Sequence, residues 1–235
     1  MSRLTSTLRL DSQLQARNQV YLIIGVAAFA VAFAFDALLT PDQLRFFMPV
    51  LIMYGVSMTT VFLVGVLLLI ERNQGTLSVV MVSPLRPSEY LASKLITLTV
   101  LALVESAIVA VVAYGLGFSF GWFVLAVVMR ASMGVAVGVA VGVRFRSITR
   151  FLVPAIGLSL AFDLPNIWYF ELWPSPLFYL WPSMPPLLLA KAAFLEVEAM
   201  QLVYAFLYGA LVVGAALIWA SRSIDRFVVR GELTA

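Results

Sequence analysis

The chain has 235 residues, 63% hydrophobic and only 11% charged, with a net charge of +3 and a mean hydropathy of +1.02. Soluble domains average about 45–50% apolar and about 25% charged residues, so this composition excludes a soluble globular protein and indicates an integral membrane protein. It has no cysteine and no histidine, which removes disulfides, thiol chemistry, the commonest zinc and haem ligands and the usual neutral-pH proton shuttle.

Strand-period alternation is absent and the apolar runs are long, so the expected fold is an all-α polytopic membrane protein rather than a β-barrel. Residues 1–19 carry Arg3, Arg9 and Arg17, with Leu4, Leu8 and Leu14 roughly on one helical face. That pattern predicts an amphipathic helix lying in the membrane interface. An apolar run from about Val20 to Leu39 follows, close to the roughly 20 residues that cross about 30 Å of hydrocarbon. It lacks a small-residue cleavage site and reads as a retained helix, not a signal peptide.

A turn with Asp36, Pro41, Asp42 and Arg45 leads to a second span from about Phe47 to Ile70. Met53, Tyr54, Met58 and Phe62 lie along it, and such polarisable and aromatic side chains suit a substrate path as well as plain core or lipid contact. The stretch Glu71–Lys94, ERNQGTLSVVMVSPLRPSEYLASK, interrupts the apolar sequence next. Thr76 can cap a short apolar helix through Leu77, Val80 and Met81, and Ser83-Pro84 with Pro87 prevents its continuation.

The third and fourth spans, from about Leu95 to Gly117 and from about Trp122 to Val143, form a hairpin. Glu105 precedes its turn by about 14 residues and Arg130 follows it by about 11, so a rise of 1.5 Å per residue puts both within roughly 5 Å in depth. A lone charge inside hydrocarbon is expensive, and an intramembrane ion pair between the two is the expectation, either structural or part of a substrate path. Gly134, Gly138 and Gly142 recur every fourth residue and predict close helix packing.

A basic loop at 144–150 precedes a fifth apolar run, Phe151 to Phe162, too short to cross as a straight helix unless its flanks extend it. Residues 163–200 form a Pro/Trp-rich region in which short broken or re-entrant helices are expected before the last span, from about Gln201 to Ala220. Six spans put both termini on one side. The N-terminal segment, the 71–94 stretch, the basic loop and the tail hold 12 of the 15 Lys/Arg residues. The opposite side has Arg45 and Lys191 against Asp36, Asp42, Asp163, Glu171, Glu196 and Glu198. The positive-inside rule therefore places both termini and the 71–94 stretch in the cytoplasm.

No G-x-x-x-x-G-K-[S/T] phosphate loop, nucleophile elbow or paired intramembrane acids occur, so the chain reads as a non-catalytic subunit. The runs E-R-N-Q-G-T-L, V-V-M-V-S-P-L-R-P and S-E-Y-L-A-S-K resemble the hallmark of type-2 ABC exporter permeases. In that family a glutamate, a Gly-Thr pair, an apolar turn, a Ser/Thr-Pro and a following lysine mark the segment between the second and third spans. Leu8-Arg-Leu-Asp11 and Leu14-Gln-Ala-Arg17 also resemble small bacterial permeases of the drug, notably fluoroquinolone, export type.

The resemblance implies a transmembrane subunit in the bacterial inner membrane that pairs with a second permease, identical or homologous, and with two cytoplasmic ABC ATPase subunits. It implies no cofactor on this chain, ATP and magnesium on the partner ATPase, and no nucleic-acid partner. It makes 71–94 the coupling-helix loop, with Glu71, Gly75, Thr76, Leu77, Val80, Met81, Ser83 and Pro84 as its coupling residues. A haem-exporter-like subunit of similar length and a non-transporting membrane assembly factor are the alternatives; the absence of histidine and cysteine counts against the first.

Overall fold

A computed structural model describes residues 3–75 and 87–229. Every regular element among these is helical. Helix α1 is Arg3–Arg17 and α2 is Val20–Leu38. Helix α3, Pro41–Ser57, runs through a π-helical turn, Met58–Phe62, into α4, Leu63–Asn73. Helix α5 is Pro87–Ala113 and α6 is Phe120–Gly142. Helix α7, Ile148–Phe162, is followed by the short α8, Pro165–Tyr169, a 3-10 turn, Pro176–Leu180, and α9, Met184–Phe194. Helix α10, Ala199–Ile224, closes the described chain with a π-helical turn, Asp225–Val229.

Among the described residues, six segments are long and apolar enough to cross a membrane: Val20–Leu38, Pro41–Asn73, Ser88–Ala113, Phe120–Gly142, Ile148–Tyr169 and Ala199–Phe227. The chain is a multi-pass membrane protein. The expected short fifth span is completed by both of its flanks, reaching 22 residues once α8 is counted. The second span starts earlier than its apolar run because Thr40 and Gln43 form a capping box ahead of Pro41. The Gln43 backbone N–H donates to Thr40 Oγ1 at 3.4 Å, and the Thr40 N–H donates to Gln43 Oε1 at 2.9 Å.

Helix α6 is the central post. It packs against the second span, α5, α9 and α10, and its share of buried residues exceeds that of any other span. Its glycines face the second span. A Cβ at Gly134 would overlap Thr60 Oγ1, and one at Gly138 would overlap the Val64 side chain and stand 2.9 Å from the Val61 carbonyl oxygen. Gly142 lies against Gly65, where an added Cβ would be 3.3 Å from the Gly65 Cα. The two backbones approach closely because neither carries a side chain in the way.

Helix α9 is short but buried along most of its length, from Met184 to Phe194, and packs on α3, α6 and α10. The segment before it is tied back to the rest of the bundle. Trp181 Nε1 donates to the Ala161 carbonyl at 2.7 Å, Ser183 Oγ to Phe162 at 2.5 Å, and Tyr169 Oη to Phe46 at 2.7 Å. Arg45 Nε donates to the Phe194 carbonyl at 2.7 Å, and the Ser119 N–H to Ala193 at 2.8 Å. A short helix inside a membrane protein needs this shielding, since its end carbonyls have no water to turn to.

Candidate functional site

The second and third spans meet at a buried cluster of charge, where the chain leaves one span and enters the next. Glu71 lies in the last turn of α4 and Lys94 in the second turn of α5, so the loop of the hallmark motif leaves from one and returns to the other. Lys94 Nζ donates to Glu71 Oε1 and, at 2.5 Å, to Asp11 Oδ1 of α1. Tyr90, one turn before Lys94, donates its hydroxyl to Glu71 Oε2 at 2.6 Å. Ser93 donates to Asp11 Oδ2. All five side chains are buried, and the ammonium also stands 5.3 Å from the centre of the Tyr90 ring.

Each carboxylate oxygen of Asp11 and Glu71 thus has a donor. This matters because a buried ion pair offsets its desolvation only when geometry is good and the remaining lone pairs are satisfied. Three elements distant in sequence are locked together: α1, the end of the second span and the start of the third. A second tie runs from Arg17 Nη2 to Gln74 Oε1 at 2.8 Å, so α1 holds both edges of the loop. Gly75 then turns the chain out of α4 with φ of +72°, a conformation in which an L side chain is strained.

The buried face of α1 differs from the expectation. Thr7, Asp11 and Gln15, at i, i+4 and i+8, are buried, whereas Leu8 and Leu14 are only partly so. Docking on α5 and α2 combines this polar stripe, which supplies the anion for Lys94, with Leu14, which packs against the apolar cluster that includes Val20, Leu91 and Leu98. Asp11 was visible in the sequence only as the last residue of the Leu8-Arg-Leu-Asp11 motif. Its role as the third member of a triad with Glu71 and Lys94 was not.

Among the expected coupling residues, Glu71 and Gly75 are therefore placed, at the rim of the loop. Thr76, Leu77, Val80, Met81, Ser83 and Pro84 lie outside the described residues.

The expected ion pair between Glu105 and Arg130 is not formed. Arg130 Nη2 pairs with Asp163 Oδ1 at 2.8 Å and donates to Ser57 Oγ, and its guanidinium lies 4.9 Å from the centre of the Phe162 ring. Glu105 Oε2 instead accepts a hydrogen bond from Thr59. The reason is angular. Ser57 and Thr59 are two residues apart on the second span, and side chains at that spacing point to nearly opposite sides of a helix. The second span stands between the two charges, so depth alone did not bring them together. Asp163, expected in an outer loop, is turned inward at the end of α7, with a side-chain exposure of 12%. The π-helical turn beginning at Met58 falls at this crossing point; such single turns inside α-helices recur at functional sites.

The proposed substrate path divides. Tyr54 and Met58 line a cavity of about 420 Å³ between α2, the second span and α5, with Glu105 in its wall. Met53 points the other way into the core, and Phe62 packs beside Phe151, Leu69 and Ala155. Neither Met53 nor Phe62 lines that cavity.

Residues 2–232 match the model of the "Fluoroquinolones export permease protein family". The chain is also 32% identical over 237 residues to the Fluoroquinolones export permease protein of Mycobacterium tuberculosis, in each of two strains, with 98% of this chain and 98% of that protein covered. The match in both directions takes in this chain's N-terminal helix, the 71–94 stretch and all six apolar segments. The chain belongs to the fluoroquinolones export permease protein family, a family of membrane permeases for drug export.

Proposed function

We propose that this protein is the transmembrane permease subunit of an ATP-driven ABC exporter that moves an amphipathic or hydrophobic drug, of the fluoroquinolone kind, out of the cell. The observation that carries the reading is the Asp11–Lys94–Glu71 cluster, which fastens the loop between the second and third spans to both spans and to α1. A loop that must pass on a push from outside the membrane needs stiff roots, and this one has charged, fully hydrogen-bonded roots.

In this reading the 76–86 stretch is the coupling helix and sits in a groove of a separate ABC ATPase. ATP and magnesium bind on that partner, since this sequence has no phosphate loop. Two permease chains and two ATPase subunits form the working unit in the bacterial inner membrane, with both termini in the cytoplasm as the distribution of Lys and Arg requires. Export proceeds by alternating access, a rigid-body rearrangement of the permease halves driven through the loop. The stripe of Gly134, Gly138 and Gly142 keeps α6 and the second span moving as one body.

The test is co-purification followed by ATP hydrolysis. The permease should bring down an ABC ATPase when the two are co-expressed, and a fluoroquinolone should stimulate hydrolysis by the complex. A permease that assembles in the membrane, binds no ATPase and leaves drug efflux unchanged on deletion would be an assembly factor instead.

A further inference from the structure

Glu105 is a carboxylate inside a membrane span with no cation paired to it among the described residues. It lies on α5 eight residues before Ala113, about 12 Å from the end of the span at 1.5 Å per residue. The ion pairs among the described residues are Lys94–Asp11, Lys94–Glu71 and Arg130–Asp163, and none of them involves it. Among the described residues its hydrogen-bond donor is the neutral hydroxyl of Thr59, on Oε2. The other oxygen, Oε1, faces Gly55, where an added Cβ would stand 3.4 Å away.

The space it borders is of the right kind and size for a small molecule. The cavity of about 420 Å³ falls within the roughly 300–1,000 Å³ of typical ligand pockets. Its walls are Ala28, Phe35, Ile52, Tyr54 and Met58, with Glu105 and the neighbouring Ser106 as the polar exceptions. Apolar and aromatic walls with one anionic group complement an organic cation: the body is taken up by the walls and the charge by the carboxylate. Tyr54 adds a ring face that attracts cations in its own right. A charged side chain within a span is kept at a cost in stability and marks a functional site unless it is paired, and this one has no ion-pair partner among the described residues.

The geometry points to Glu105 as the charge-selecting residue of a binding site for amphipathic organic cations, ammonium- or phosphonium-bearing, between α2, the second span and α5. This rests on the export reading and deepens it, by naming the class of substrate that the permease selects.

The test measures binding to the full permease chain alone in lipid nanodiscs, with empty nanodiscs subtracted. The probes are tetraphenylphosphonium and its neutral isostere tetraphenylsilane. The wild type should bind the cation at least tenfold more tightly than the neutral compound. Glu105→Gln keeps the size of the side chain and should lower cation affinity at least tenfold, about 1.4 kcal/mol, while changing neutral binding less than twofold. Gly55→Ala keeps the charge and puts a methyl beside Oε1, so it should weaken cation binding several-fold without loss of the folded particle.

Unchanged cation affinity in Glu105→Gln, or an equal loss of both probes in it, overturns the proposal. If Glu105→Gln does not give a monodisperse particle, Gly55→Ala decides alone, and unchanged cation affinity in it is the overturning result. Because no ATPase is present, failure here leaves the export reading standing. An intact cation site in a permease that couples to no ATPase sinks the export reading instead.

Discussion

Two buried charge clusters sit at different heights in this molecule, and they are built on different terms. The Lys94 cluster holds one ammonium between two carboxylates, with Tyr90 and Ser93 completing the set, so every charged oxygen has a donor. The Arg130 cluster is sparser: the guanidinium uses only Nη2, on Asp163 and Ser57. Its Nε and Nη1, and Asp163 Oδ2, have no hydrogen-bond partner among the described residues. The first is a fastening with one arrangement. The second, at a π-helical turn and among three spans, has spare donors and an acceptor that another arrangement could use. A coupling device needs both: a rigid root where force enters and a less committed contact where helices shift.

The comparison can be broken first at its rigid end. Lys94→Met should destabilise the solubilised protein by about 3–5 kcal/mol, because it leaves Asp11 and Glu71 buried as unpaired like charges. A thermal-unfolding midpoint in detergent reads this. Adding Glu71→Gln to Lys94→Met should recover part of the loss by removing one of the stranded charges. A Lys94→Met protein as stable as the wild type would mean that the cluster is not a fastening at all.

Between the clusters runs the glycine stripe of α6, about 18 Å from Arg130 to Gly142 along the helix axis at 1.5 Å per residue. Gly138→Leu should cost about 1–3 kcal/mol by forcing α6 off the Val61 and Val64 backbone and side chain. Gly25, on α2, has open space where its Cβ would go, so Gly25→Ala should shift the midpoint little. Equal effects at the two sites would remove the close-packed face from the account.

The sparser cluster is probed by a double-mutant cycle. Arg130→Gln and Asp163→Asn should be coupled by about 0.5–3 kcal/mol, whereas Arg130→Gln and Glu105→Gln should be nearly additive, as for groups without a shared contact. Coupling of Arg130 with Glu105 as strong as that with Asp163 would restore the pairing that helix depth alone predicts.

The sequence made the spans legible because hydrophobic runs need only a one-dimensional count. It made the loop legible because its glutamate, Gly-Thr, Ser-Pro and lysine are close together in the chain. The members of each cluster were harder to read. Asp11 reaches Lys94 across 83 positions and Ser57 reaches Arg130 across 73, and no local pattern links such residues. Along-axis register could place Glu105 and Arg130 at similar depth but could not say which face of each helix they occupy, and the second span came between them. Asp163 was misplaced for a related reason: an acid beside a helix-ending Leu-Pro reads as a loop residue, and only tertiary packing turns it inward. The Thr7, Asp11 and Gln15 stripe shows the same limit, since an N-terminal helix judged by its leucines buried a polar stripe as well.

The central claim is that the loop rooted on Lys94 carries motion from an ATPase to the membrane helices. Its most direct test is drug-stimulated ATP hydrolysis by the reconstituted permease–ATPase complex, comparing the wild type with the double substitution Val80→Asp and Met81→Asp. The account predicts that the variant inserts and folds as the wild type does but loses drug stimulation of hydrolysis together with export. A variant that keeps wild-type stimulation and wild-type export would contradict it.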